Sequence, residues 1–324
     1  MAGFLIRRLV NHAVLVMLAA SLAYLLAAAT LAPRAAFAGQ HPPPPAAVID
    51  AELTRLNLND RTPLPQRYAT WAGGVLRGDL GRTLNGEPVA PELWNRALVS
   101  LRLLAVGTVL GAVLGVLAGA YAAVRQYRPA DRLITVGSFA VLSTPVFVLA
   151  VLLQLGAERI NEITGVRIFE WVGEYTPGAR EGMTGRLQHL VLPTLTIVLV
   201  QAAVFSRYQR HLMLDVLNAD FVRTAMARGL TRRRALLRHG LRTALVPATT
   251  YFAYTFGFVL LGAMFTEKIF GWHGMGEWLI DSVHRGDVNA VAAITLLAAV
   301  LVLLAGLAAD TAHAVLDPRV RTGR

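Results

Sequence analysis

The residue types that usually carry chemistry are sparse in this chain of 324 residues. It contains no cysteine, which excludes disulfides, thiolate metal sites and cysteine nucleophiles. The P-loop that cradles phosphates needs lysine followed by serine or threonine, but the only lysine, Lys268, precedes Ile269. The HExxH and GxSxG motifs are absent, as is a Rossmann glycine pattern between a strand and a helix. We therefore expect no catalytic, cofactor or metal site in this chain.

The histidines do not change that expectation. There are eight, scattered along the sequence, and His189, His239 and His273 are better explained as contacts near the membrane surface than as metal ligands. An interfacial ion pair is the simplest explanation for the adjacent Glu267 and Lys268.

The Arg-rich segment 220–247 is the most informative stretch, because it lies between two long apolar runs. Asp220 is the predicted N-cap of a helix over 221–228, which Gly229 ends in the left-handed conformation. A helix of about two turns is unstable alone in water. It must therefore pack against its own protein, against a partner surface, or against both.

A second helix is predicted to begin at the N-cap Thr231. It is amphipathic and is expected to lie on the membrane before it turns inward at Pro247. Its apolar stripe is Leu237, Leu241, Ala244 and Leu245, and its basic face is Arg234, Arg238 and Arg242.

The composition indicates an all-α integral membrane protein, with 55% hydrophobic residues, 16% charged residues and a mean hydropathy of +0.51. Since a membrane helix needs about 20 apolar residues, six spans are predicted. They are residues 9–31, 98–124, 133–156, 187–205, 247–265 and 288–310. The first run also resembles a signal peptide that ends near Ala36–Ala38, but it is longer than a typical signal h-region, which favours a retained span.

Charge is distributed unevenly between the two sets of loops. One side carries 17 basic and five acidic residues, and the other carries 14 basic and 15 acidic residues. The positive-inside rule predicts that both termini lie in the cytoplasm. The net charge of +11 is thus explained by membrane topology, and nucleic acid is not an expected partner.

Residues 32–97 form the only sizeable external segment. It begins with a stiff run of prolines at 42–45, followed by helices near 45–56 and 66–76 and a turn at 78–81. A second external loop, 157–186, is rich in glycine and predicted to be irregular. In a third, 270–287, Trp272 and Trp278 are suited to the membrane interface.

Several short motifs resemble the inner-membrane permease subunit of bacterial ABC importers of the dipeptide, oligopeptide and nickel group, and within it the oligopeptide permease B-type subunit. Their order and spacing cover nearly the whole chain. They are FLIRRL at 4–9, RGDLG at 77–81, DRL at 131–133, STP at 143–145, LVLP at 190–193, the segment 220–247, EKIFGW at 267–272 and LDPR at 316–319.

In that family a cytoplasmic loop with an EAA-type motif docks its short helix into an ATPase subunit. The resemblance implies that Arg223, Thr224 and Ala225 stand where the motif has Glu-Ala-Ala, and that Gly229 is its glycine. The acidic first residue is missing, and the interval from the glycine to Pro247 is longer than in sugar permeases. The implied coupling residues are Asp220, Phe221, Arg223, Thr224, Ala225, Arg228, Gly229 and Leu230.

The resemblance also implies the partners and the mechanism. A related second permease, two ATPase subunits or one fused pair, and an external substrate-binding protein would complete an oligopeptide importer in the bacterial inner membrane. ATP and Mg²⁺ would be bound by the ATPases, whose closure would drive alternating access. The external segment 32–97 and the loop 270–287 are expected to receive the binding protein or to gate the outer mouth.

Polar residues within the spans are candidates for the translocation path or for the permease–permease interface, because such groups are costly in lipid. They are Ser143, Thr144, Gln154, Gln201, Thr250, Tyr251, Tyr254 and Thr255. Pro145 and Pro193 are expected to kink their helices.

The predicted domains are residues 1–31 (terminus and first span), 32–97 (external), 98–311 (permease, with the coupling loop at 206–246) and 312–324 (cytoplasmic tail). Two other functions stay open. One is import of dipeptides or nickel in the same group. The other is a self-sufficient carrier or membrane scaffold whose basic loop binds anionic lipid; such carriers often show repeated halves and charges in mid-span, which are not evident here.

Overall fold

The computed structural model describes residues 2–38, 42, 44–175 and 183–316. The described part contains no strand beyond one isolated bridge between Arg82 and Pro88. Its α-helices are α1 Ala2–Thr30, α2 Ala46–Arg55, α3 Leu64–Val75, α4 Val89–Val124, α5 Pro129–Ser143, α6 Val146–Thr164, α7 Met183–Leu217, α8 Asp220–Ala227, α9 Arg232–Ala235, α10 Leu241–Gly262, α11 Met264–Phe270, α12 Met275–Arg285 and α13 Val288–Leu316. A 3₁₀ helix spans Pro33–Phe37 and a π-helical turn spans Leu236–Gly240. The all-α prediction is confirmed.

Four described helical stretches are long and apolar enough to cross a membrane: Val10–Thr30, Val89–Val124, Gly185–Leu217 and Val288–Ala308. The bent pair α5 and α6 counts as a fifth if it forms one span. The predicted fifth span coincides largely with α10, which has 22 residues and whose side chains are described only in part. The predicted tail after Leu316 and residues 176–182 of the second predicted external loop, among them Pro177, lie outside the described residues.

The predicted third span is wrong as an uninterrupted helix. α5 ends at Ser143, α6 begins at Val146, and the two axes are bent by 109°. Thr144 is extended, with φ −91° and ψ 124°, because the proline ring that follows disfavours helical backbone in the preceding residue. Pro145 therefore breaks the helix instead of kinking it, whereas Pro193 lies within an unbroken α7.

The fourth predicted span, 187–205, lies within a longer helix. α7 has 35 residues and, at 1.5 Å per residue, is about 52 Å long, which exceeds the bilayer core of about 30 Å. It continues to Leu217, well into the segment predicted to be a cytoplasmic loop. α4 likewise begins at Val89, before the predicted membrane entry at Leu98.

One compact unit comprises residues 1–100 and 273–304. The helices α2 and α3 of the predicted external segment are present, but their apolar faces pack together with the first and last helices. Tyr24 of α1 is fully buried and stacks on Trp71 of α3 at 4.5 Å between ring centroids, and Val288 and Ala292 of α13 belong to the same cluster. The external segment thus shares its core with α1 and α13.

Polar contacts fasten this external segment to the start of α13. The Asn289 amide donates to the carbonyl oxygens of Leu56 (3.0 Å) and Arg82 (2.8 Å), and the Leu84 amide donates to the Asp287 carboxylate at 2.8 Å. These bonds join loops distant in sequence, so the segment is held at both its middle and its end.

The other unit comprises residues 101–272 and 305–324, and its central contact joins α4 to α7. Glycines on α4 recur at every fourth position and so lie on one face: Gly107, Gly111, Gly115 and Gly119. A Cβ atom at these positions would lie between 2.2 and 2.8 Å from atoms of α7. The absence of side chains therefore allows the two backbones to approach closely, as small residues do in membrane helix pairs.

The tightest point of this contact gives a first prediction. A Cβ at Gly119 would lie 2.2 Å from the Ser206 carbonyl oxygen, and backbone cannot move aside as a flexible side chain can. We expect Gly119→Ala to destabilise the purified protein by about 1–3 kcal/mol, measured by thermal unfolding in detergent. Gly137→Ala on α5, where nothing lies within 4 Å, is the matched control and should be neutral or slightly stabilising. Equal effects of both substitutions would contradict the close-contact explanation.

Candidate functional site: a coupling surface built on a short helix

The predicted coupling helix exists as α8, Asp220–Ala227, but its N-terminus differs from the prediction. Ala219, not Asp220, is the N-cap, and no side chain caps the helix. Asp220 is instead the first helical residue, and its side chain is fully exposed. Its charge there is favourable because the N-terminal end of a helix carries partial positive charge.

Gly229 ends α8 as predicted, with φ +90° in the left-handed region. Its N–H donates to the Met226 carbonyl at 2.9 Å, and the Leu230 N–H reaches back to the Ala225 carbonyl at 3.2 Å. Such closing bonds satisfy carbonyls left without partners at a helix C-terminus. A side chain at position 229 would be strained in this conformation, so the sharp stop depends on glycine.

One face of α8 is buried against its own unit. Val222 is 1% exposed and Ala225 is 8% exposed. They pack in one apolar cluster whose other members come from the ends of α4 and α7 and from the α9–α10 region: Ala123, Met213, Val216, Ala235, Leu236 and Ala244. This contact supplies the stability that a two-turn helix lacks alone.

The opposite face of α8 is free in the chain itself. At about 100° per residue, Asp220, Arg223 and Thr224 lie across from the buried side, with Phe221 and Met226 at its two borders. Phe221 is 43% exposed and Met226 is 36% exposed, so this face offers two large apolar side chains beside its charged residues. Arg228 and Gly229 are exposed at its end, and Leu230 is half-buried. We call this face, residues 220–229 without Val222 and Ala225, the docking face.

The second predicted helix needs two corrections. Thr231 is its N-cap, accepting from the Arg234 N–H at 3.4 Å, as predicted. The chain then stays helical through α9, the π-helical turn and α10, so Pro247 lies inside α10 and marks no inward turn. Leu237 is 56% exposed and does not share a buried stripe. The buried positions are Ala235, Leu236, Gly240 and Ala244, whereas the predicted basic face, Arg234, Arg238 and Arg242, is exposed.

An ion pair that the sequence analysis missed holds the base of this region. The Arg210 guanidinium on α7 donates to both carboxylate oxygens of Asp131 on α5, at 2.7 and 3.0 Å. The Asp131 side chain is only 5% exposed and also accepts the Tyr127 N–H at 2.8 Å. The turn between α4 and α5, where Tyr127 has φ +67°, is therefore tied to the helix that carries α8.

The predicted pathway residues have mixed surroundings. Gln201 is buried on α7 against Gly111, which makes it part of a helix contact within the chain. Tyr251 stacks on Tyr208 at 4.4 Å and meets Phe205 edge-on at 5.4 Å.

The remaining pathway candidates bond to main-chain carbonyls. Ser143 and Thr144 flank the helix break and both donate to the Ala140 carbonyl. Thr250 and Thr255 bond within α10, and the Gln154 amide approaches the Ile269 carbonyl at 3.4 Å. The Tyr254 side chain lies outside the described residues. Their assignment to a path stays a prediction.

The third predicted external loop contains the helix α12, and its two tryptophans are buried. Trp272 is 2% exposed and Trp278 is 9% exposed, each with an arginine over its ring: Arg102 at 5.7 Å and Arg96 at 5.4 Å. The interfacial prediction for both rings is wrong, because the chain folds over them.

The polar residues of the same region also differ from the sequence analysis. Glu267 is fully buried and Lys268 is exposed, so the two residues that were predicted to form an interfacial ion pair differ in their exposure to solvent. His189 is buried, His239 is exposed, and the His273 ring nitrogen lies 2.9 Å from the Glu277 carboxylate. Among the described residues no cluster of three or more His, Asp or Glu side chains forms a possible metal site.

Comparison with known proteins gives consistent results. Residues 115–322 match the family described as binding-protein-dependent transport system inner membrane component. The chain is 53% identical over 325 residues, 99% of both chains, to the oligopeptide transport system permease protein OppB of Mycobacterium tuberculosis. It is 34% identical to the oligopeptide transport system permease protein AppB of Bacillus subtilis, over 83% of each chain. It is 33% identical to the glutathione transport system permease protein GsiC of Escherichia coli, over 83% of this chain and 84% of the relative.

The buried face of α8 gives a second prediction. Val222→Asn places an amide without partners in the apolar cluster, and we expect α8 to detach from its support. Trypsin should then cleave after Arg223 and Arg228 at least about tenfold faster, since about 1.4 kcal/mol of lost local stability gives that factor. Thr224→Asn on the exposed face is the control and should leave the cleavage rate unchanged. Equal rates in the two variants would show that the cluster does not hold α8.

Proposed function

The chain belongs to the family of binding-protein-dependent transport system inner membrane components, and on that premise we propose that it forms half of the translocation pathway of an ATP-driven oligopeptide importer. It is a permease subunit and not an enzyme; ATP hydrolysis belongs to a separate subunit. The observation that carries the oligopeptide assignment is the 53% identity over 99% of both chains to an oligopeptide permease.

The alternative functions, a self-sufficient carrier or scaffold and an importer of dipeptides or nickel, have less support. Family membership disfavours a self-sufficient carrier or a scaffold, because permeases of this family work within binding-protein-dependent systems. Within the peptide and nickel group, the two similar relatives described as oligopeptide permeases favour peptide over nickel. The more distant glutathione permease also transports a short peptide, in agreement with a peptidic substrate class.

Coupling to ATP hydrolysis is assigned to the docking face. It presents an exposed aromatic ring, a thioether and a guanidinium on a helix whose opposite side is fixed by Val222 and Ala225. A partner ATPase that buries Phe221 and Met226 gains apolar contact area, and Arg223 offers a charge for a carboxylate on the partner. Because α8 follows directly on α7, a displacement of α8 is transmitted to a helix about 52 Å long.

The proposed importer contains this chain, a second, related permease, two ATPase subunits or one fused pair that bind ATP and Mg²⁺, and an external substrate-binding protein. The chain crosses the bacterial inner membrane several times with both termini in the cytoplasm, which puts the Arg-rich loop and α8 on the cytoplasmic side.

The external segment 32–97 and the loop 270–287, which contains α12, are assigned to receive the binding protein or to gate the outer mouth. Deletion of residues 42–61 would be a poor test of this role, because Leu53, Leu56 and Leu58 within that stretch are core residues. Omission of the binding protein from a transport assay is sharper, because it leaves the permease fold intact.

Transport gives the third prediction. Proteoliposomes that contain this chain with its partner permease, ATPases and binding protein should take up a labelled oligopeptide only when ATP and the binding protein are present. Gly229→Pro should reduce uptake at least about tenfold while assembly is retained, because proline cannot adopt φ +90° and lacks the N–H that closes α8.

The matched control is Gly165→Pro, the same change at the left-handed end of α6, where nothing lies within 4 Å. It should retain most of the uptake. Uptake without ATPases would contradict the subunit assignment, and full uptake by Gly229→Pro would contradict the coupling role of α8. Uptake of nickel but not of peptide would contradict the substrate assignment alone.

A further inference from the structure

A groove of about 680 Å³ lies beside the coupling region, between the end of α4 and the helical run that begins at Arg232. It lies entirely within the unit of residues 101–272. Its lining combines apolar side chains, among them Leu117, Leu236 and Leu237, with the three arginines Arg125, Arg232 and Arg233.

The apolar part of the groove is exposed. Leu117, Tyr121, Val124 and Leu237 are each between 45% and 58% exposed, although all four are large apolar residues. Side chains of this kind are left uncovered where a lipid or another apolar surface contacts them. The residues of α4 that line the groove lie at the end of a helix long and apolar enough to span a membrane. Their apolar side chains are therefore suited to contact with lipid hydrocarbon.

The arginines of the groove have no described carboxylate partner. Arg125 lies over the Tyr121 ring at 4.9 Å, and Arg232 and Arg233 are exposed beside the groove. Three guanidinium groups around one cavity create positive potential, and guanidinium is well suited to phosphate because it presents paired N–H donors.

The position of Arg125 at the end of the apolar run of α4 indicates that the phosphate bound by the arginines belongs to a phospholipid headgroup. The apolar run of α4 ends at Val124, and Arg125 and Arg128 follow at once. That change from apolar to basic residues marks the depth at which phospholipid headgroups lie. A soluble anion would use the arginines but leave the apolar wall uncovered, whereas a phospholipid matches both parts.

We propose that this groove is a specific site for an anionic phospholipid. Its phosphate binds Arg125, Arg232 and Arg233, and an acyl chain lies along Leu117 and Leu237. Leu236 contributes both to this groove and to the apolar cluster that holds Val222 of α8. A bound lipid therefore supports the base of the coupling helix from the side of α4.

The test is lipid binding by the purified full-length chain in neutral detergent, followed by native mass spectrometry. Phosphatidylglycerol should bind at least about tenfold more tightly than phosphatidylcholine. The variant Arg232→Gln/Arg233→Gln should weaken phosphatidylglycerol binding at least about tenfold, since each basic group near a headgroup contributes several-fold. Arg238→Gln/Arg242→Gln removes the same charge from exposed positions outside the groove and should change binding less than about threefold.

A second variant tests the apolar half. Leu237→Gln changes a side chain that is already 56% exposed, so folding should be retained, and phosphatidylglycerol binding should fall several-fold. Thermal unfolding checks that each variant is folded, and wild type should gain thermal stability from phosphatidylglycerol as it binds.

Four results would overturn the proposal. Equal weakening by both arginine pairs would indicate diffuse surface charge, and equal affinity for phosphatidylcholine would exclude headgroup recognition. Competition by millimolar inorganic phosphate would indicate a site for a free anion. Dimerisation of the chain that phosphatidylglycerol does not reverse would indicate a second copy in the groove. No ATPase or peptide is used, so the outcome is independent of the proposed transport function.

Discussion

The close contact between α4 and α7 is the constraint on which the position of α8 depends. Four glycines at every fourth position of α4 leave no room for a Cβ atom, and at Gly119 the obstacle is the backbone of α7 itself. Because α7 is fixed along this line, the residues beyond it, Met213 and Val216, form a defined base for the coupling helix. A looser helix pair would leave α8 without a stable support, and a two-turn helix has little stability of its own.

The ion pair between Asp131 and Arg210 adds a second fixed point at the same end. Removal of either partner would leave a largely buried charge without compensation, which is more costly than the loss of an exposed pair. α4, α5 and α7 are thus joined by packing and by charge where the chain passes to α8. The arrangement separates two roles: the inner face of α8 provides rigidity, and the docking face is available to a partner.

Much of the coupling region could be predicted from the sequence because the signals were local. Gly229 predicts the end of α8, Thr231 predicts the next N-cap, and the length between them predicts that α8 needs support. The four-residue spacing of glycines on α4 is also visible in the sequence, and it is the signal that would have identified the α4–α7 contact.

The sequence predictions that proved wrong concern features that depend on tertiary structure. Hydropathy does not separate one span from two helices bent by 109°, since both contain the same apolar residues. Trp272 and Trp278 are of the residue type that anchors helices at the membrane interface, but their burial in the folded chain cannot be read from a sequence. The π-helical turn shifts the buried stripe to Leu236 and Gly240, and periodicity at 3.6 residues per turn gives no sign of it.

Contact between the docking face of α8 and an ATPase subunit can be measured directly, because the chain contains no cysteine. Thr224→Cys places a single thiol in the middle of the docking face, and Thr70→Cys places one on the exposed surface of external helix α3. The rate of maleimide labelling should be similar for both in the chain with its partner permease. Addition of the ATPase subunits should slow labelling at position 224 at least about tenfold, by burial, and leave position 70 unchanged. An unchanged rate at position 224 in the assembled complex would contradict the account.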